Sequence, residues 1–455
     1  MKKLFLVLLL TATGCATTSP VLEPEVSAPP AYNETTTPNA AALSPEWWKS
    51  FDSAELEALV TEALAGSPDL AIAAERVRQA EAQVRAAGAS LFPSLNGSVS
   101  TSARGSREDS RTSTSEASGA SLSASYEVDL WGRNAAGVRG AEASLRATMF
   151  DRDAARLTLI AGVASAYFEV ASLRGRLAVA RENLAIAERV LNLVSARARA
   201  GAVSPLDLAR QEAAVLSQRA ALLPLEQQER QTLAALAVLV GRLPEGFDVK
   251  AQGITALAVP SISPGLPADL LVRRPDLAAA EAQLSAANAD LAAARAALLP
   301  SIQLTGSAGV ASGALLSFVG GPATTVAIAA SVLQPIFDGG RLRAGVSIAE
   351  SRERELVESY RKAILSAFSD VETALAAATR LQQREVLQAQ VEERAREALR
   401  LAEVRYREGA DDLLTVLDAQ RTLFDAQQQL ALVRQERLDA AVSLFKALGG
   451  GWQAA

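Results

Sequence analysis

The sequence predicts a mostly α-helical chain that carries a pair of membrane β-hairpins and is built from two structural repeats. Three observations predict this. Pro68-Asp69-Leu70 opens an alanine-rich helical run ending at Phe92-Pro93-Ser94, and about 207–208 residues later Pro275-Asp276-Leu277 opens a second one ending at Leu299-Pro300-Ser301. Each run leads into a Ser/Thr/Gly-rich stretch with alternating apolar residues, then a Gly-Arg (Gly132-Arg133, Gly340-Arg341), then a very long helix. Gly201 is matched in the same register by Gly409. Two copies of helix, hairpin and long helix mean one architecture used twice.

The chain opens with Lys2-Lys3, the apolar run Leu4–Leu10 and the small residues Ala12-Thr13-Gly14 before Cys15. Residues 1–14 therefore read as a secretory signal, far too short for a membrane span. The small residues before the cysteine resemble a bacterial lipobox, although Ala12 stands where leucine is usual. Cys15, the only cysteine, would then be the lipidated first residue of the mature protein. The alternative is a soluble secreted protein with an incidental cysteine. Ala16, not aspartate, follows Cys15, which under lipoprotein sorting rules favours the outer membrane. Residues 15–44, rich in Pro, Thr, Ser and Ala, read as an extended tether with no core of its own.

Composition narrows the function classes. The chain has no histidine, which removes the commonest general base and metal ligand. With a net charge of −6 and scattered basic residues, nucleic acid is not an expected partner. Neither a cofactor nor a metal is expected, and no catalytic residue is assigned. Few aromatics (4%) and abundant Ala, Leu and Arg favour long helices.

The first repeat is placed at 45–260 and the second at 261–455. Folded structure is expected to begin at Ser44-Pro45-Glu46-Trp47-Trp48, with Ser44 as a cap and Pro45 at the first helical position. Short helices are expected over Ala54–Ala65 and Pro68–Leu91. The long helix Arg133–Ala200 shows a seam at Leu177, Ala180, Leu184, Ala187, Leu191 and Val194, the spacing of a coiled coil. At about 1.5 Å per residue it would reach on the order of 100 Å. Arg341–Glu408 is its counterpart, and Pro205–Val240 and Asp411–Leu448 follow, each after a glycine turn.

Four strands are expected, in hairpins at about 94–129 and 301–333. Ser121, Ser123, Ser125, Glu127 and Asp129 alternate with Leu122, Ala124, Tyr126 and Val128. The same period of two appears at Ile302, Leu304, Ala308 and Val310 and at Val326, Ile328, Ala330 and Val332, with a weaker form at Leu95 and Val99. The segments run roughly nine to eleven residues, the length of a tilted transmembrane strand. Arg104–Ser115 and Ser312–Pro322 read as polar or Gly-rich loops. Four strands leave two open edges, which lipid does not tolerate, and bacterial barrels need about eight strands or more. Several chains must then share one barrel; soluble hairpins packed on helices are the competing reading.

With these marks in place, the sequence resembles the outer-membrane factor family, the TolC-like exit ducts of tripartite efflux pumps, and in particular its lipidated branch. The resemblance covers nearly all of the mature chain. It rests on Trp47-Trp48 with Phe51, Leu56 and Leu59, on Arg274-Pro275-Asp276-Leu277, and on Leu299-Pro300-Ser301. It rests further on Gln334-Pro335-Ile336-Phe337-Asp338-Gly339-Gly340-Arg341, on Leu417-Asp418-Ala419-Gln420-Arg421, and on the ending Phe445-Lys446-Ala447-Leu448-Gly449-Gly450-Gly451-Trp452. It implies a homotrimer in which each chain gives four strands to a shared twelve-stranded β-barrel, continued by a trimeric α-barrel across the periplasm. The implied partners are a periplasmic adaptor (membrane fusion) protein, an inner-membrane transporter of the resistance–nodulation–division type and outer-membrane lipid. The implied function is passage of drugs or other small toxic solutes to the outside.

A duct needs a wide lumen and an end that closes. Ser121, Ser123, Ser125 and Glu127 are expected to line the pore, and Leu122, Tyr126, Leu304 and Val326 to face lipid. Motif matching places the family's apolar ring and aspartate ring on Leu414 and Asp418. Asp411 and Asp412 lie beside them, with Arg405, Arg407 and Arg421 near enough in sequence to offset repulsion between carboxylates. Gly201–Gln211, with Asp207 and Arg210, is expected to be the outer stave. Val203, Ser204, Pro205, Leu206 and Gly409 are the expected adaptor contacts. The bland readings are that Asp411 and Asp412 only cap the last helix, that Arg405 and Arg407 are surface charges, and that Trp47 and Trp48 are packing anchors. A duct for secreted polypeptides, a lipidated coiled-coil scaffold with no pore, and, remotely, an enzyme are the alternative functions.

Overall fold

The computed structural model describes residues 26, 28–34, 43–108, 111–251, 253–262, 264–313 and 323–453. Cys15, the leader 1–14 and most of the tether lie outside the described residues. In chain order the main elements are α1 (Ala54–Gly66), α2 (Pro68–Gly88), β1 (Ser94–Glu108), β2 (Arg111–Val128), α3 (Arg133–Arg199) and α4 (Pro205–Leu239). The second repeat gives α5 (Leu270–Arg273), α6 (Pro275–Ala296), β3 (Ser301–Ser312), β4 (Ala323–Leu333), α7 (Arg341–Arg407) and α8 (Leu413–Ala447). The long helices α3 and α7 are both 67 residues, and α4 and α8 both 35. The described residues form two compact units, one built on Glu75–Met149 and Ala279–Lys362, the other on Val26–Ala74, Phe150–Ala278 and Ala363–Ala455.

The first unit holds one antiparallel sheet in the order β1-β2-β3-β4. Its register aligns the two faces across all four strands. Ser98, Ser121, Gly309 and Thr325 stand in one row, and Val99, Ala120, Val310 and Thr324 in the next. Because neighbours along a strand point to opposite faces, Leu95, Leu122, Leu304, Ile328 and Val332 fall on one face and Ser98, Ser121, Ser123, Thr305 and Ser331 on the other. That apolar face is bare: Val99 is 85% exposed, Val326 74% and Ile328 89%.

The first hairpin is longer than expected, with 15 residues in β1 and 18 in β2. The stretch Arg104–Ser115, read as a loop, is a ladder that continues through Arg104↔Ser115 and Arg107↔Thr112 to Glu108↔Arg111. Two strands satisfy each other's backbone groups without an apolar face, and the Ser/Thr alternation there is compatible with extended backbone. Gly132 and Gly340 adopt φ of 73° and 86°, which explains the Gly-Arg marks. Just before them, Asp129 accepts from the amides of Asn134 (3.1 Å) and Ala135 (2.8 Å), and Asp338 from those of Gly340 (3.0 Å) and Leu342 (2.9 Å), so carboxylates cap both long helices.

The second unit has the main core, built from Trp47, Phe51, Leu56, Phe168, Leu236, Leu438 and Phe445. Trp47 stacks on Phe445 at 4.9 Å and 21°, so the tryptophan pair is a packing anchor. Residues 44–48 do not begin an α-helix; Trp47–Phe51 is a single 3₁₀ turn, and Ser44 Oγ accepts from the Glu46 amide (3.2 Å). The first α-helix is capped instead by Ser53, which accepts from the Leu56 amide. Part of the tether is also not free. Tyr32 packs against the core, the Asn33 amide donates to Glu372 (3.0 Å), and Glu34 pairs with Arg380 (3.5 Å).

Part of α3 is long and apolar enough to cross a membrane by composition, but half of it is buried; Leu159–Ala171 contributes to the core described above. Further along, Leu177, Ala180, Ala187 and Val194 of the expected seam are buried, whereas Leu184 and Leu191 are only half-buried. Asn183 is buried beside Leu184 and donates to Val179 O (2.8 Å) and Gln427 Oε1 (3.0 Å).

Candidate functional site

The two helix turns of the second unit are chemically parallel. At the end of α3, the amide of Gly201 donates to Ala198 O and that of Ala202 to Arg197 O; at the end of α7, Gly409 donates to Tyr406 O and Ala410 to Arg405 O. Both are Schellman closures with a left-handed glycine, φ 72° and 75°. The next helix is capped in each case by the residue three after the glycine. Ser204 accepts from the Asp207 amide (3.2 Å) in a full capping box with Pro205 behind it, and Asp412 accepts from Thr415 N (3.0 Å) and Oγ1 (2.9 Å).

The carboxylates of the second turn divide by role. Asp412 is the N-cap, and its bonds from the Thr415 amide and hydroxyl hold its carboxyl below the usual range. Asp411 is not a cap: Arg405 Nε and Nη2 grip it at 2.6 and 3.2 Å, and that guanidinium lowers its pKa. Helix α8 therefore begins at Leu413, two residues later than expected.

Leu413, Val416, Leu423 and Ala426 form the buried face of α8 with Val194, Leu399 and Tyr406. Leu414 (55% exposed) and the exposed Asp418 lie four residues apart on the other face, one above the other. Arg421, expected to neutralise Asp418, instead lies nearest Asp425 at 3.9 Å and is 83% exposed.

One contact escaped sequence reading. Arg197 lies 4.8 Å from the Tyr406 ring centroid and donates to Arg407 O (3.1 Å). Its signal was present in the repeat, since Arg197 occupies the first-repeat position of Arg405. Of the expected adaptor contacts, Val203 packs inward on the turn's core, whereas Ser204, Pro205, Leu206 and Gly409 are exposed.

On the sheet, Ser121, Ser123, Ser125 and Glu127 share the polar face. Ser121 Oγ bonds Ser98 Oγ (2.9 Å) and Ser125 Oγ bonds Ser94 Oγ (2.8 Å). Glu127 is ion-paired with Arg133 Nη2 (2.6 and 2.8 Å) and receives Gln303 Nε2 (3.4 Å). Among the described residues no group of three or more His, Cys, Asp or Glu side chains could hold a metal ion.

Similarity to known proteins identifies the family. The family described as outer membrane efflux protein matches residues 59–242 and 266–450. The chain is 43% identical to the pyoverdine export outer membrane protein OpmQ of Pseudomonas aeruginosa over 417 residues, 90% of this chain and 88% of that one. It is 34% identical to the outer membrane protein OprJ of Pseudomonas aeruginosa, over 90% of this chain and 88% of that one. Its fold matches the open-state Neisseria gonorrhoeae MtrE outer membrane channel with a TM-score of 0.86 and 31% identity, covering 96% of this chain and 98% of that one. This chain belongs to the outer membrane efflux protein family, a family of channels and not of enzymes, and is a TolC-like exit duct of the bacterial outer membrane.

Proposed function

We propose that three copies of this chain assemble into one duct, each giving its four strands to a barrel of twelve and its long helices to an α-barrel. The observation that carries this reading is the sheet itself. It combines a continuous bare apolar face with two edges, on β1 and β4, that pair with no other strand among the described residues. In lipid such edges must be paired by strands of other copies. The polar face, with Ser121, Ser123, Ser125 and Glu127, then lines the lumen. The two repeats, 45–260 and 261–455, supply two similar staves. Cys15 carries the lipid that tethers the chain to the outer membrane.

Leu414 and Asp418 form the rings that narrow the periplasmic mouth, on the exposed face of α8. Ser204, Pro205, Leu206 and Gly409 offer the turn surface for a periplasmic adaptor, whose own helical hairpin would lie in the grooves between coiled coils. The inner-membrane partner is a resistance–nodulation–division transporter. The cargo is small solutes; a relative's name includes export of pyoverdine, which makes that compound the first to assay. Native mass measurement of the full chain in detergent tests the assembly: a mass of three chains is expected, and a monomer overturns the reading.

A further inference from the structure

The charges on the sheet's polar face are few and unevenly placed. Up to Arg104 that face carries Ser94, Asn96, Ser98, Ser100, Ser102 and Arg104 on β1, and Glu127 with a run of serines on β2; beyond Arg104 the register adds Ser106 and the opposed residues Glu108 and Arg111. On β3 and β4 it carries Gln303, Thr305, Ser307, Thr325 and Ser331. Glu127 is neutralised by Arg133. Among the described side chains of this face, that leaves Arg104 as the one charge without an ion-pair partner. Its side chain is exposed, and only its carbonyl is engaged, by Ser115 Oγ (3.5 Å).

The other face fixes where Arg104 sits relative to lipid. The apolar band runs in register from Val128, Ile302 and Val332 to Ala120, Val310 and Val99. It ends at the next rung, where Thr101 and Ser118 exchange a hydroxyl bond (3.0 Å), and Glu116 follows opposite Ala103. A charge on the lipid face is tolerated only near an interface. Arg104 therefore stands just beyond the band, at the end of the sheet remote from the long helices that follow β2 and β4. The hairpin continues past it as a ribbon of β1 and β2, from Gly105↔Thr114 to Glu108↔Arg111, and among the described residues the pairing of β2 with β3 ends at Ser118↔Ser312.

We propose that Arg104 sets the charge preference of the outer mouth: three copies ring the exit and favour anionic solutes. This rests on the trimeric pore reading given above. Fixed charges at a mouth raise the local concentration of counter-ions, within a Debye length of about 10 Å at 0.1 M salt and about 30 Å at 0.01 M. The preference is thus strongest in dilute salt. The test is the reversal potential of the purified full-length trimer in a planar bilayer under a KCl gradient, with the outer side dilute. Arg104→Ala is expected to raise the cation-to-anion permeability ratio about twofold and Arg104→Glu further, while Arg104→Lys stays at the parent value. Arg107→Ala, on the opposite face of the same ribbon, is expected to change nothing. Unaltered selectivity in Arg104→Glu pores of normal conductance overturns the inference and leaves the duct standing. A preparation that never conducts, even with Leu414 and Asp418 both changed to alanine, overturns both.

Discussion

The guanidinium of Arg197 lies over the ring of Tyr406, 4.8 Å from its centroid, and fastens the end of α3 to the end of α7. The second-repeat counterpart, Arg405, turns instead to Asp411 within its own turn. The difference follows from one residue: the first repeat has Val203 where the second has Asp411, so Arg197 has no local carboxylate and reaches across. Duplicated turns with nearly identical backbones thus carry different side-chain locks. Removing the cross-repeat lock by Arg197→Ala should loosen the turns, because a partly desolvated cation–π contact contributes about 1 kcal/mol. Hydrogen exchange of the Gly409–Thr415 amides should speed up, with the Trp47 core unaffected.

Leu414 and Asp418 present a side chain each to the exposed face of α8, without a side-chain partner among the described residues. If they close the mouth in the trimer, Asp418→Ala combined with Leu414→Ala should raise single-channel conductance severalfold, whereas changing the cap, Asp412→Asn, should not. Equal conductance in parent and double variant would remove these residues from the gate.

Asp439 introduces a pH dependence. Burial, together with Glu169 and Glu436, pushes its pKa up to about 6. Below an ordinary carboxylate pKa of about 4 it is protonated whether folded or unfolded, so it costs nothing there. As pH rises from about 4 to about 6 the unfolded chain ionises first, and the penalty reaches its full size above the folded pKa, on the order of 2–3 kcal/mol. Asp439→Asn should therefore raise the melting temperature at pH 7.5 and leave it unchanged near pH 3.5. A gain of equal size at both pH values would assign the effect to packing.

Glycines with positive φ should not respond alike. A side chain at Gly449 (φ 85°) would run into the Arg273 carbonyl, whereas one at Gly246 (φ 74°) would meet open space. Gly246→Ala should cost the conformational term alone, about 1–2 kcal/mol. Gly449→Ala should cost well over 3 kcal/mol or prevent folding. Thermal melts of the two variants compare them directly.

The sheet faces can be separated by charge. Leu122→Arg places a cation in the apolar band and should cost about 2–4 kcal/mol per chain near the bilayer centre, while Ser123→Arg on the polar face should be accepted. The yield of assembled protein in outer-membrane fractions is the readout.

Repeats, long helices and the alternation of the strands were legible because each is a periodic signal. The extension of β1 and β2 was not, because Ser/Thr-rich residues between Thr101 and Ser118 have no apolar period and their pairing is decided by the neighbouring strand. Likewise Ser44-Pro45 has the composition of a helix start, yet the burial of Trp47 and Phe51 selects a single tight turn. Within the site, residue types pointed to the turn at Gly409 but not to its division of labour. Whether an aspartate caps a helix or pairs with arginine depends on one residue of register, which places Asp412 at the cap and Asp411 beside Arg405. Arg197 could have been found by carrying Arg405 back through the repeat.

Single-channel recording of the purified full-length protein in a planar lipid bilayer bears most directly on the central claim. A lumen shared by several copies predicts discrete, uniform current steps from the parent protein, and none from Leu122→Arg if that chain fails to insert. A protein that inserts into the bilayer as an assembled oligomer yet passes no current, even with Leu414 and Asp418 both changed to alanine, would contradict it.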